Sequence, residues 1–364
     1  MSSEMTANGR ADGVLRCGVV GVGRMGQHHA RVYAEMSGIE LVGVVDQDPD
    51  RRALIAERHG TRAFETEMDL LGAGVDAVSI AVPTTSHMKS ATPFLERGVA
   101  CLIEKPLAPD AATALAIKDT AERSGACLMV GHIERFNPVM RAMQRATRDG
   151  FEVVPRFIEV HRVSPMTFRS VDIGVVMDMM IHDLDVVLML MGGREPDRVE
   201  AAGVAVITEH EDLCNARLTF ELPGDRGACV ANITASRLAL KTERVTRITG
   251  ENGYIKIDYA AKKGTIIRRT ANEIQMREVA EQLRQGKDLT NLDWTELVNI
   301  EPLEIDDGEP LRLEIEAFVE AVRSGRRPEI DATAGFVNVR TAERIVASIK
   351  DFIRAGQALD SSRS

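Results

Sequence analysis

No stretch of the chain stays apolar over the ~20 residues that a bilayer-spanning helix needs, and the opening MSSEMTANGRADG lacks the apolar core of a secretory leader. A cytoplasmic protein with no membrane partner is therefore expected. The cysteines have no pattern: Cys17, Cys101, Cys127, Cys214 and Cys229 are odd in number, widely spaced and without a C-x-x-C pair. That spacing excludes a thiolate metal or redox motif and reads as buried free thiols in a reducing compartment. Aromatic residues are scarce. Positive charge is in deficit, 45 basic against 55 acidic side chains, and the net charge of −10 repels nucleic acid and anionic membranes. An anionic substrate must then find a local cationic pocket. There is no repeat and no low-complexity tract, and 44% hydrophobic with 27% charged residues excludes a disordered or fibrous class. A chain of 364 residues exceeds one ordinary core and predicts about two domains.

The first third supplies what those absences leave open. From Val14, VLRCGVVGVGRMGQHHARVYAEM reads as strand, glycine turn and helix, and the next strand, IELVGVVDQDP, ends in Asp46 about twenty residues beyond Gly26. In GVGRMG, Gly21 makes the tight turn, Gly23 admits a pyrophosphate to the backbone and Gly26 allows close helix packing, with Arg24 and Met25 between them. A helix amino terminus then faces the phosphates. The carboxylate of Asp46 favours NAD over NADP, because it repels an additional ribose phosphate, although Arg51 and Arg52 follow a few residues on.

Further strands, VDAVSIAVPTTSH, VACLIEKPLA and ACLMVGHIERFNP, each end in polar residues. In a doubly wound sheet the ligand lies outside the carboxyl ends of the strands. Val82, Pro83, Thr84, Ser86, His87, Glu104, Lys105, His132, Glu134, Arg135 and Asn137 are thus expected around one crevice, the run from Val82 to Lys105 on the cofactor side. Lys105, at a strand end, is placed to hydrogen-bond a substrate hydroxyl, with desolvation lowering its pKa.

The run VVMDMMIHDLDVVLML, Val175 to Leu190, sets charge inside an apolar stretch. As one α-helix it puts Asp178, His182 and Asp185 on one face at i, i+4 and i+7, with Asp183 turned elsewhere. Such a face must look into a polar cavity, pair internally or hold a metal. Three ligands with no identifiable fourth donor make a metal the lesser reading, and none is expected.

These residues resemble the Gfo/Idh/MocA family of sugar and inositol dehydrogenases. The motifs are the EKP turn, Glu104 to Pro106, and the D-x-x-x-H pattern of Asp178 and His182, reached here through SVDIGVVMDMM, with little of the family's common glycine-rich lead. The resemblance implies a doubly wound α/β Rossmann domain over 12–135. It further implies a substrate-binding and oligomerisation α+β domain over 136–354, with a large, mostly antiparallel open sheet and C-terminal helices packing back at the junction. It also implies a catalytic group of Lys105, Asp178 and His182. His182 would accept the hydroxyl proton, Asp178 would orient its ring, and Lys105 would assist as hydrogen-bonding acid/base. Within the family, GHIERFNP, IHDLD and SRLALKTERVTRITGENGYIKIDY look like members that oxidise the 3-hydroxyl of UDP-N-acetylglucosamine or its uronic acid. In those members a sugar aminotransferase takes the 3-keto product toward lipid A or surface polysaccharide. Arg135, Asn137, Arg162, Arg169 and Arg237, together with His182, are the candidates for holding such a substrate and its diphosphate. An inositol or simple sugar dehydrogenase, and a non-catalytic dinucleotide sensor, are the alternatives.

Beyond the catalytic helix, six period-two segments from AAGVAVITEH to GTIIRRT predict antiparallel strands, one face of which is expected to pair subunits in a homodimer or homotetramer, as in the family. The polar segment around Trp294 reads as an arm or a solvated excursion, and two amphipathic helices divided by Gly325 and Pro328 close the chain.

Overall fold

A computed structural model describes residues 13–148, 153–168, 171–270, 273–288 and 294–361. It divides into two compact units: 1–136 with 184–195 and 308–347, and 137–183 with 196–307 and 348–364. The division read along the sequence, 12–135 and 136–354, differs in where it places 184–195 and 308–347.

The first unit alternates strand and helix: β1 (Leu15–Val20), α1 (Gly26–Glu35), β2 (Ile39–Val45), α2 (Pro49–His59), β3 (Arg62–Phe64), α3 (Glu67–Gly72), β4 (Ala77–Ile80), α4 (His87–Leu95), β5 (Ala100–Glu104), α5 (Ala111–Ser124) and β6 (Leu128–Gly131). The six strands pair in parallel in the order β3-β2-β1-β4-β5-β6, the doubly wound order expected of a Rossmann sheet. Parallel strands covered on both faces read as near-continuous apolar runs, and β4 (AVSI) is buried at every position. Ser79 is the polar exception, and its hydroxyl is satisfied by Tyr33 at 2.9 Å and His29 at 3.0 Å.

The second unit opens with α6 (Pro138–Arg148) and β7 (Pro155–Val163), then enters α7 (Ile181–Leu190), whose residues beyond Asp183 belong to the first unit. There follow β8 (Arg198–Val204), β9 (Leu213–Glu221), β10 (Ala228–Ser236), β11 (Glu243–Gly250), β12 (Gly253–Asp258), β13 (Lys263–Arg269), α8 (Glu273–Arg284) and β14 (Val298–Pro302). Its sheet has eight strands in the order β14-β13-β12-β11-β7-β10-β9-β8. Every pair is antiparallel except β7 with β10, so the expected large, mostly antiparallel sheet is present. Two of its strands went unread: β7, at its centre, and β14, which lies in the polar segment around Trp294 and extends the edge beside β13. Along β7, Ile158, Val160 and Arg162 are buried while Phe157, Glu159, His161 and Val163 are not, which is the alternation of a sheet covered on one face.

The C-terminal helices α9 (Pro310–Ser324) and α10 (Ala332–Ser361) separate as the sequence predicts, with Gly325 at φ 63° ending the first. The backbone at Ile330 and Asp331 lies along the edge of β6, with the Val130 amide donating to the Ile330 carbonyl at 2.9 Å. This covers the free edge of the parallel sheet. All five cysteines are free thiols, and four of them are buried.

Candidate active site

The glycine turn after β1 is built as its spacing requires. Gly21 has φ +82°, and a Cβ on Gly26 would stand 1.7 Å from the Gly21 carbonyl oxygen, so helix and turn meet at a contact that no side chain fits. Gly23 differs: a Cβ there would meet only the Arg51 guanidinium, at 4.0 Å. Its missing side chain leaves room over the backbone. Helices α2, α3 and α5 begin with side-chain caps from Asp48, Thr66 and Asp110, whereas α1 has no capping side chain and no acid in its first turn. Its amino end therefore keeps its positive dipole for an anion. Arg24 is exposed on the turn and Met25 half-buried.

Asp46 closes the other side of the turn. It is buried, and its carboxylate accepts from the amides of Val22 and Asp48, both at 2.9 Å. The Arg51 guanidinium lies 3.3 Å from both its oxygens and also holds Asp48 at 3.0 Å. A glycine turn with an open face, an uncapped helix end and a fixed carboxylate after the second strand suits a dinucleotide's pyrophosphate and ribose. A cavity lined in part by Asp76, Ala100, Cys127 and Leu128 sits at the opposite, amino ends of β4 to β6 and has no part in this arrangement.

Of the other strand-end residues, Val82 is half-buried, Pro83 exposed, and Thr84 begins a single 3-10 turn. His87 is a residue that the sequence places on the cofactor side. It is buried, with Nδ1 3.2 Å from the Leu107 carbonyl and Nε2 3.0 Å from the Val82 carbonyl, and burial lowers its pKa. It staples the loop after β4 to the one after β5. Glu104 accepts from the His29 ring at 2.9 Å and from the amide of Lys105 at 3.3 Å. Burial works against its charge, yet that hydrogen bond, the His29 ring and Lys105 hold the carboxyl below its usual pKa. Lys105 is half-buried, and its bond to Pro106 is cis.

The helical run at 175–190 is not one α-helix. A π-helical turn occupies Val176–Met180 before α7 begins. The wider turn breaks the 3.6-residue register, so the i, i+4, i+7 arithmetic does not carry from Asp178 to Asp185. Gly174 leads into it, and the Cβ it lacks would lie 1.9 Å from the Glu211 carboxylate, which accepts the Val176 amide at 3.2 Å. The single glycine of this short lead is thus the one the turn needs.

The acids of the run then sort by partner. Asp178 and His182 are half-buried, whereas Asp183 and Asp185 are buried and each is gripped by an arginine. Arg162 donates to Asp183 at 2.5 and 3.0 Å, and Arg135 to Asp185 at 2.6 Å through each of Nε and Nη2. Arg237, another candidate phosphate ligand, holds Asp212 at 2.8 Å. Each of these arginines neutralises a buried carboxylate, Arg135 and Arg162 among them. Asn137 caps the start of α6, its Oδ1 accepting from the Val139 amide at 3.2 Å. Arg169 lies outside the described residues.

Fold and glycine turn define a dinucleotide-binding architecture. Residues 15–132 match an oxidoreductase family described by its NAD-binding Rossmann fold, and residues 159–256 match the GFO/IDH/MocA C-terminal domain. A UDP-N-acetylglucosamine 3-dehydrogenase of Acidithiobacillus ferrooxidans is 34% identical over 93% of this chain and 99% of its own length. A solved structure of that dehydrogenase superposes with a TM-score of 0.79, covering 93% of this chain and 98% of the other. An inositol 2-dehydrogenase of Rhizobium meliloti is 32% identical over 53% of this chain and 59% of its own. The chain belongs to the Gfo/Idh/MocA oxidoreductase family. It is a dehydrogenase acting on CH–OH, and its first domain binds NAD.

Proposed function

We propose that the protein oxidises the 3-hydroxyl of a UDP-N-acetylglucosamine-type nucleotide sugar to a 3-keto sugar. The observation that carries this reading is the end-to-end kinship with the Acidithiobacillus enzyme, 34% identical across 93% of this chain and 99% of that one. Bound NAD supplies the hydride acceptor. The glycine turn and Asp46 hold it through backbone approach and the ribose hydroxyls.

His182 takes the proton of the reacting hydroxyl, Asp178 orients and stabilises the imidazolium, and Lys105 hydrogen-bonds the same oxygen as an acid/base partner. The partitioning of the helix supports these roles. Its buried acids, Asp183 and Asp185, are neutralised by arginine, while Asp178 and His182 stay half-buried and open to exchange protons. The product is a ketone, which an aminotransferase converts to a 3-amino sugar for lipid A or surface polysaccharide. The uncovered face of the eight-stranded sheet, with Phe157 and Val163 on β7, is assigned to self-association in a homodimer or homotetramer. The enzyme works in the cytoplasm.

A second reading, an inositol or simple sugar dehydrogenase, is favoured by one observation: Arg135, Arg162 and Arg237 are each held by a carboxylate rather than offered to a diphosphate. NADH formation with UDP-N-acetylglucosamine, its uronic acid, myo-inositol and glucose, with a 3-aminotransferase present to draw off the ketone, decides between them. Turnover with a UDP-sugar alone is the expected result. Turnover with inositol or glucose alone would discard the nucleotide sugar.

A further inference from the structure

Behind the EKP turn lies a group of side chains that the proposed chemistry leaves unused. Glu314, on α9, is fully buried, and among the described residues neither of its carboxyl oxygens has a hydrogen-bond partner. Ligand atoms of Glu314, Glu104 and His29 all lie within 4.8 Å of one another. Glu104 is engaged, by the His29 ring and the Lys105 amide. The His29 ring is engaged at its other nitrogen by Ser79, and Ser79 by Tyr33. Glu314 alone in this chain of contacts is left over.

An unpaired carboxylate in an apolar interior is too costly to persist, and two carboxylates this close do not both ionise. Among the described residues, the groups that face Glu314 leave it no counter-charge. From β5 comes Glu104, from α1 His29 and Tyr33, and from α7 Asp185. The turn Ile133–Phe136, packed on α9, carries Arg135, which is held by Asp185, and Glu134. Burial, with Glu104 and Asp185 adding to it, raises the Glu314 carboxyl far above its usual range, while Glu104 is held low.

We propose that Glu314 and Glu104 form an acid–carboxylate pair holding one proton, and that Glu314 is a positioning residue which keeps a single negative charge behind Lys105. This rests on the reading of Lys105 as the acid/base partner. With the proton on Glu314, the Lys105 ammonium faces one carboxylate. As Glu314 ionises at alkaline pH, a second negative charge holds the lysine proton more tightly. Glu314→Gln removes that charge permanently, so the alkaline limb of kcat/KM should move to lower pH, by on the order of one unit. Infrared difference spectra of the holoenzyme at neutral pH should contain a protonated carboxylic acid band that Glu314→Gln lacks.

Superimposable pH profiles together with no such band in the wild type would overturn the proposal. So would a stoichiometric divalent metal that survives dialysis in the wild type and is absent from Glu314→Gln, since the three ligand atoms would then be a metal site. The infrared signal is independent of turnover. If Lys105→Ala proved fully active, the function assigned to the lysine would fall while the band still decided where the proton resides.

Discussion

Arg135 and Asp185, fifty positions apart in the chain, meet side-on in the interior with both hydrogen bonds at 2.6 Å. The guanidinium matches the carboxylate edge to edge, so a lysine does not replace it. Arg135→Ala strands a buried carboxylate and should cost about 3–5 kcal/mol of stability, read as a lowered denaturation midpoint. Arg135→Met with Asp185→Leu should recover most of that loss. A raised KM with unchanged stability in Arg135→Lys would instead restore the arginine to the substrate site.

Two glycines of one turn should fail differently. At Gly26 a Cβ meets the Gly21 carbonyl at 1.7 Å, and Gly26→Ala should be destabilised by on the order of 4 kcal/mol or more. At Gly23 the space is open, so Gly23→Ala should fold with an unchanged melting temperature but bind NAD weaker by on the order of ten-fold. Thermal melts and NAD titrations of the pair separate the roles. Equal melting losses in both would show that Gly23 also serves packing.

Asp46 and Arg51 form the ion pair that is proposed to read the ribose. The acid is fixed by the Val22 amide at 2.9 Å and draws the arginine to 3.3 Å. Removing the acid in Asp46→Ser frees the guanidinium for a ribose phosphate. The ratio of kcat/KM for NAD over NADP should then fall by on the order of ten-fold or more. In Asp46→Ser with Arg51→Ala much of the NADP gain should disappear. An unmoved ratio in the single variant would mean that another group reads the ribose.

Lys105→Ala and His182→Ala should each lower kcat by roughly 10²–10⁴-fold while NAD binding stays near the wild-type value, because neither change touches the glycine turn or Asp46. Normal turnover in either variant would remove that residue from the proton-handling role.

What the sequence made legible was local. The glycine turn, Asp46 and the EKP turn are contiguous or one βαβ unit apart, and their spacing carries their geometry. The ion pairs Arg162–Asp183 and Arg135–Asp185 join positions 21 and 50 residues apart, and no periodicity connects them. The π turn leaves no mark on a pattern of apolar residues, and it spoiled the prediction of a single face. Strand β7 was missed because its buried Arg162 broke the apolar alternation. Glu314, by contrast, was readable: Leu311, Glu314, Ile315 and Phe318 fall at helical spacing, which sets a carboxyl in the buried stripe of α9.

That buried carboxyl and the buried His132 give the protein opposed pH dependences. Burial, with Glu104 and Asp185, raises Glu314 in the folded state, so its contribution to stability is complete below the unfolded pKa of ~4.3 and is lost as pH rises toward the folded value. The folded state binds more protons there, and stability declines by at most ~1.4 kcal/mol per pH unit from this group. His132 is buried, neither ring nitrogen has a partner among the described residues, and burial lowers its pKa. The unfolded chain takes up that proton first, so stability falls as pH drops below ~6.5. Glu314→Gln should therefore gain on the wild type steadily as pH is raised above neutrality, and His132→Phe should gain only as pH is lowered below about 6.5. Urea denaturation across pH 5 to pH 9 measures both slopes. A Glu314→Gln difference that does not change with pH would show that the folded protein holds this carboxyl no more tightly protonated than the unfolded chain does.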